Sequence, residues 1–200
     1  DTDEAVEDNS ISTPAEYVFN SRFNDGESSV YYSGQVVRNL LINDIKTQCG
    51  TDAGTGDAST LLSMMANDDA SRTILTSTDP SSLQSTYHSI GTNHLNDRLI
   101  AVDGYPINGY GANAGTLING WTQELAANGK TRANGLRLDQ IIQKTLWGAV
   151  SYWQGTSKYM SKIPTDDNTV SDDGDAWTAM EHHWDESFGY FGAARDYNTG

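Results

Sequence analysis

The chain has 200 residues, 36% of them hydrophobic and 10% aromatic, and a formal charge of −15 from 27 acidic and 12 basic residues. That length and apolar content suit one domain with a real core and exclude a disordered chain, while the acidic excess opposes binding to nucleic acid phosphates and anionic membrane surfaces. A single cysteine, Cys49, excludes an intramolecular disulfide and a Cys-based zinc site, and no run of roughly 18 apolar residues is present to span a membrane as a helix.

The opening DTDEAVEDNSISTPAE is acidic, Ser/Thr-bearing and poor in large apolar residues, so residues 1–16 read as a flexible tether ahead of a helical domain over 17–200. The chain starts at Asp1 without a Met, as a processed protein does, which makes a lipid anchor or cleaved signal upstream an expectation. The first helix is predicted over Tyr31 to Gln48, with Ser33 as N-cap and Val36, Val37, Leu40, Leu41 and Ile45 at helical spacing. Cys49 follows that apolar pattern and reads as a buried, inert thiol. The Gly/Asp/Thr run from Gly50 to Asp57 stops the helix, and a second is predicted from Ala58 to Asn67. Residues 67–84 are polar and turn-rich, and His88 and His94 stand isolated beyond them. Gly104, Pro106, Gly109 and Gly111 make Asp103 to Ala114 a loop. The third helix is predicted over Ala114 to Asn128, with Leu117, Ile118, Trp121 and Leu125 on one face.

Leu138 to Met160 is the longest helix; its apolar face is wide enough to make it central, and Gly148 and Gly155 predict close helix contacts. An acidic loop over Asp166 to Asp175 precedes a last helix over Asp175 to Phe191. There is no internal repeat and no alternation of period two. The reading is all-α, an antiparallel helical bundle with long loops. Because the chain ends at Gly200, soon after that helix, it reads as the N-terminal part of a longer bundle. A C-terminal part of the same protein, or a second copy in a homodimer, is the expected partner.

The last helix carries the densest chemistry: Glu181, His182, His183, Asp185 and Glu186. Residues three and four apart share a helix face, which predicts pairing of His182 with Asp185 and Glu186, of His183 with Glu186, and of Glu181 with Asp185. Imidazole with carboxylate suits iron or zinc, and a further carboxylate can orient the histidine. One helix cannot complete a coordination sphere, so Glu124 and Asp139 are candidate ligands from other helices. The alternative is a charge-paired helix with acidic residues near its N-terminus. The zinc-protease pattern H-E-x-x-H is absent. DDNTVSDDGD, Asp166 to Asp175, resembles a calcium loop in composition, but Val170 stands where an oxygen ligand belongs. No serine sits in a nucleophile motif.

The segments VYYSGQVVRNLL, LLSMMAND, QIIQKTLWGAVSYWQGTSKYM and above all TAMEHHWDESFGYFG resemble a bacterial family called domain of unknown function 4856. Its members are typically exported lipoproteins related to the imelysin-like group. The resemblance covers most of the chain after the tether. It implies a helical-bundle protein of the periplasm or outer membrane, with an imelysin-like signature G-x-H-x-x-E on a helix. His183 and Glu186 match the His and Glu of that signature, and Glu181 replaces its Gly. Some imelysin-like members are named as peptidases and others are linked to iron uptake.

Three functions follow as expectations: an exported metal-binding protein in iron or zinc acquisition, an imelysin-like metallopeptidase, and a non-catalytic cell-surface interaction module. The metal ligands expected under the first are His183, Glu186, His182, Asp185 and Glu181.

Overall fold

The computed structural model describes residues 19–76, 84–100 and 106–192. The expected tether lies outside the described residues, as do parts of the two loops before the third predicted helix. The fold is all-α, a helical bundle with long connections and no strand among the described residues. Helix α1 runs over Ser33–Asp52, α2 over Ser59–Ala66, α3 over Tyr87–Ile90, α4 over Asn96–Ile100, α5 over Ala114–Asn128, α6 over Leu138–Leu146 and α7 over Ala179–Gly189. A π-helical segment, Trp147–Met160, continues α6 without a break, so the expected long helix from Leu138 to Met160 is one rod. No helix among the described residues is long and apolar enough to cross a membrane.

Apolar spacing on each long helix gathers one core. Val37, Leu41, Ile42, Ile45 and Cys49 of α1 meet Leu61 and Met64 of α2, Ile118 and Leu125 of α5, and Ile142 and Leu146 of α6. Most of these side chains are fully buried, each stabilising the fold by about 1.5–3 kcal/mol relative to exposure. Burial pushes the Cys49 thiol up to about 12, helped by the nearby charges of Asp139 and Asp52. The one carboxylate fully inside this core, Asp44, is satisfied: its Oδ2 accepts from the Tyr87 hydroxyl at 2.6 Å and from the backbone N–H of Leu75 at 3.0 Å.

Local chemistry explains several helix ends. Asn113 caps α5 by accepting from Thr116 N–H at 2.8 Å, and Asn67 ends α2 in a left-handed conformation (φ 46°). The N-cap of α1 is Tyr32 rather than Ser33, and it makes no side-chain cap hydrogen bond. The start of this helix is set by tertiary contacts instead. Helix α7 begins at Ala179, four residues later than expected. Thr178 Oγ1 accepts from Glu181 N–H (3.1 Å) and Glu181 accepts from Thr178 N–H (2.9 Å), a capping box that fixes the boundary.

Helix α7 packs along the π-helical segment and the first turns of α1. Two glycines set the spacing. A Cβ on Gly189 would stand 2.7 Å from Tyr32 Cβ and 2.8 Å from Gln35 Cβ, and one on Gly155 would stand 3.3 Å from Tyr190 Cβ. Gly155 therefore makes the close contact expected of it, whereas Gly148 has open space around it. Ser187 Oγ donates to Gly155 O at 2.7 Å, and Asn39 Nδ2 donates to Gly189 O at 3.1 Å, locking α7 at both flanks.

Candidate functional site

The five charged residues of α7 point to different partners. Glu181 is held by the capping box and by Arg22, 3.1 Å away. Asp185 Oδ2 accepts from Tyr31 N–H at 2.9 Å, tying α7 to the strap before α1. Glu186 accepts from Gln35 Nε2 at 3.1 Å and hydrogen-bonds the Tyr159 hydroxyl. His183 leaves its own helix: Nδ1 lies 2.7 Å from Asp166 Oδ2 and Nε2 lies 3.0 Å from Lys162 Nζ. An ammonium group has no acceptor, so Lys162 donates to Nε2 and the ring proton sits on Nδ1, donating to Asp166. Tyr159 stacks on the same imidazole at 5.8 Å.

His182 is placed otherwise. Its ring stacks on Trp177 at 5.4 Å, and Trp177 stacks on Tyr31 at 5.4 Å. Its Nε2 is 3.7 Å from Glu186 Oε2, beyond hydrogen-bond reach. Its Nδ1 is buried with no hydrogen-bond partner among the described residues. Of the pairings expected from helical spacing, His182 with Glu186 is present as this loose contact, while His183 is engaged by residues from the preceding loop. Glu124 and Asp139 are engaged by their own arginines: Arg132 grips Glu124 with two bonds of 2.6 Å, and Arg137 donates to Asp139 at 2.5 and 2.8 Å. Those arginines hold both carboxyls below their ordinary range. Among the described residues, no group of three or more His, Cys, Asp or Glu converges as a metal cage. In the acidic loop, Asp167 is used locally, accepting from Thr169 N–H at 2.6 Å. His88 Nε2 lies 2.7 Å from Asn67 O and His94 Nδ1 lies 3.6 Å from Asp97, so neither joins the α7 cluster.

His182 and Glu186 form one wall of a cleft of about 150 Å³, completed by Tyr31, Gly34, Gln35, Arg38, Asn93 and Arg98. Arg38 is fully buried, its guanidinium donating to His94 O at 2.8 Å, to Tyr190 Oη at 3.3 Å and to Asp97 at 3.4 Å. Arg98 lies 3.9 Å from Asp97, and its buried Nε has no hydrogen-bond partner among the described residues. Lys158 stands within electrostatic range of Arg98 and Glu186. Burial, with the Arg98 charge next, draws its ammonium below the ordinary lysine range. Five of the chain's 12 basic residues, Arg22, Arg38, Arg98, Lys158 and Lys162, thus lie on or beside the α7 face of a strongly acidic protein. Sequence reasoning missed Gln35, Arg38, Asn93 and Arg98. The available signal was Arg38, an arginine on the apolar stripe Gly34, Arg38, Leu41, Ile45 of α1.

Fold and site together define an all-α domain with a polar cleft, walled by two arginines, a histidine and a glutamate, where its last described helix meets its first. The chain belongs to the family described as Domain of unknown function (DUF4856), which matches residues 14–200. No curated protein and no solved structure matches it.

Proposed function

We propose that the domain is a ligand-binding module whose site is the cleft between α1 and α7. The observation that carries this reading is the convergence of Gln35, Arg38, Asn93, Arg98, His182 and Glu186, from four separate segments, on one cleft of about 150 Å³. A concave wall with several hydrogen-bonding side chains is what a small polar ligand needs for orientation. A ligand-observed NMR screen of small polar compounds, run on the wild-type protein and on His182→Ala, tests this. Compounds whose saturation transfer vanishes in the variant are expected. If every hit binds both proteins equally, the cleft is not the site.

A metal reading is second and rests on a different observation, the 3.7 Å between His182 Nε2 and Glu186 Oε2. One iron or zinc ion at roughly 2.0–2.2 Å from each atom can span that gap, with Gln35 and Tyr159 orienting the carboxylate. The protein would then serve metal acquisition, in the exported setting that the sequence resemblance implies. The Arg38 and Arg98 charges in the facing wall oppose a cation, which ranks this reading below the first. Elemental analysis after dialysis decides it: His182→Ala and Glu186→Gln lose near-stoichiometric metal while His183→Ala keeps it. Metal that survives in His182→Ala sinks this placement.

A further inference from the structure

We propose that the outward face of α7 is the contact surface of a homodimer, seated against the same face of a second copy of this chain. The helix has three faces, and two are occupied. His183, Ser187 and Tyr190 meet the π-helical segment and the turn after it: Lys162 donates to His183, Ser187 Oγ donates to Gly155 O, and Tyr190 stacks on Tyr159 at 6.2 Å. Asp185, Glu186 and Gly189 meet the strap before α1 and its first turn, through Tyr31 N–H, Gln35 Nε2 and the Cβ atoms of Tyr32 and Gln35. At about 100° per residue, Glu181, Trp184, Phe188 and Phe191 share the third face, with Phe191 in the turn that closes the helix.

A helix surface turned to solvent is ordinarily polar, and this one is aromatic. Trp184 is 57% exposed and Phe191 is 70% exposed, while Phe188 is half-buried, edge-to-face with Tyr32 at 5.8 Å. Aromatic side chains bury about 150–250 Å² each when covered. The exposed parts of Trp184 and Phe191 therefore offer on the order of 300 Å² per copy. A stable interface buries about 800 Å² per partner, slightly more than half of it apolar. Two rings on one helix thus supply well over half of the apolar area that a dimer needs. A patch of this kind is also self-complementary across a two-fold axis, the commonest way for homodimers to close.

Charge restricts which face two copies can share. A formal charge of −15 makes one chain repel another. The aromatic stripe escapes this: its one ionic residue, Glu181, is bridged by Arg22 at 3.1 Å, and Lys162 borders the helix through His183. Two acidic copies therefore meet through α7 at lower electrostatic cost than through the acidic remainder. The pairing also leaves the cleft open, because His182 and Glu186 each lie two residues from Trp184, about 200° around the helix.

Sedimentation equilibrium of the 200-residue chain, from micromolar to millimolar concentration and at low and high salt, tests the proposal. A monomer–dimer equilibrium is expected, tightened by salt because salt screens the net charge. Trp184→Ala and Phe191→Ala are each expected to weaken the dimer about tenfold or more, since buried aromatic anchors dominate an interface. Tyr110→Ala removes a ring of similar exposure, 55%, from outside α7 and is expected to leave the dimer unchanged. A monomer at every concentration overturns the proposal. So does a dimer that both α7 variants leave intact, or one that Tyr110→Ala weakens as much as they do. A monomer that co-sediments with phosphatidylcholine vesicles, an association lost in Trp184→Ala, assigns the face to a lipid surface and overturns the second copy. Should the α7 variants fail to fold, as judged by circular dichroism, acrylamide quenching of the wild-type protein decides. Trp184 is the one exposed tryptophan among the described residues, so quenching should fall as the dimer forms, and quenching that stays constant overturns the proposal.

Discussion

The α1–α2–α5–α6 core and the α7 cleft use the same helices to opposite ends. In the core, Leu41, Ile45, Leu125 and Leu146 exclude water completely, and the buried carboxylate of Asp44 finds the Tyr87 hydroxyl and backbone N–H groups. At the cleft, Arg38 is equally buried, yet its neighbours Arg98 and His182 keep polar atoms without partners. The difference teaches that the core is built from apolar burial and the cleft from charged groups that hold one another in place. Buried atoms without partners are not confined to the cleft, since Asp52 Oδ2 in α1 and Asn67 Oδ1 after α2 are among them, so what sets the cleft apart is its gathering of charged and amide side chains around one open space.

The contrast can be broken from the core side first. Leu41→Ala should cost about 2–5 kcal/mol, because α1 carries the centre of the core and a cavity there cannot collapse easily; urea denaturation measures it. Gly189→Ala should cost about 1–3 kcal/mol, since the new methyl meets the rigid Cβ atoms of Tyr32 and Gln35. It should also widen the α1–α7 spacing and so perturb the cleft. Thr178→Ala removes half of the capping box and should cost about 1 kcal/mol. His182→Ala should change stability by less than about 1 kcal/mol, because the lost Trp177 stacking is offset by removing an unsatisfied nitrogen. If it instead unfolds the protein as Leu41→Ala does, the cleft belongs to the core and the contrast fails.

Titration sharpens the same comparison. The folded state holds the Cys49 proton to about pH 12, burial being the main cause. Burial and the hydrogen bond to Asp44 also raise the Tyr87 hydroxyl. A group whose pKa is raised by folding contributes stability that is complete below its unfolded pKa and is lost as pH climbs through the folded one. The urea midpoint should therefore hold through about pH 8 and fall between about pH 9 and 12. In native protein, Cys49 should resist Ellman's reagent at pH 8 and react only on unfolding.

Much of the fold was legible in the sequence. Long apolar stripes gave α1, α2, α5 and the Leu138–Met160 rod because burial on one face demands that spacing. The helices Tyr87–Ile90 and Asn96–Ile100 span too few residues to show a period, and tertiary contacts define them. The site was half legible. The composition of α7 marked it, and the His182–Glu186 contact follows from helical spacing. His183 was misdirected because a short hydrogen bond to Asp166 and another to Lys162, both from the preceding turn, outcompete a carboxylate on its own helix. The opposite wall, Gln35, Arg38, Asn93 and Arg98, comes from segments distant in sequence. No local pattern announces such a convergence, except an arginine where the α1 stripe calls for an apolar side chain.

The arginine-bearing wall of the cleft sits in a chain of formal charge −15, and that mismatch has a kinetic signature. At long range the whole molecule repels an approaching anion, while the attraction of Arg98, Arg38 and Lys158 acts only over the last few ångströms. Added salt screens the first interaction, whose reach exceeds the Debye length of about 10 Å at 0.1 M, far more than the second. Approach of a small anionic probe to this wall should therefore become faster, not slower, as ionic strength rises from low values, the inverse of ordinary electrostatic steering.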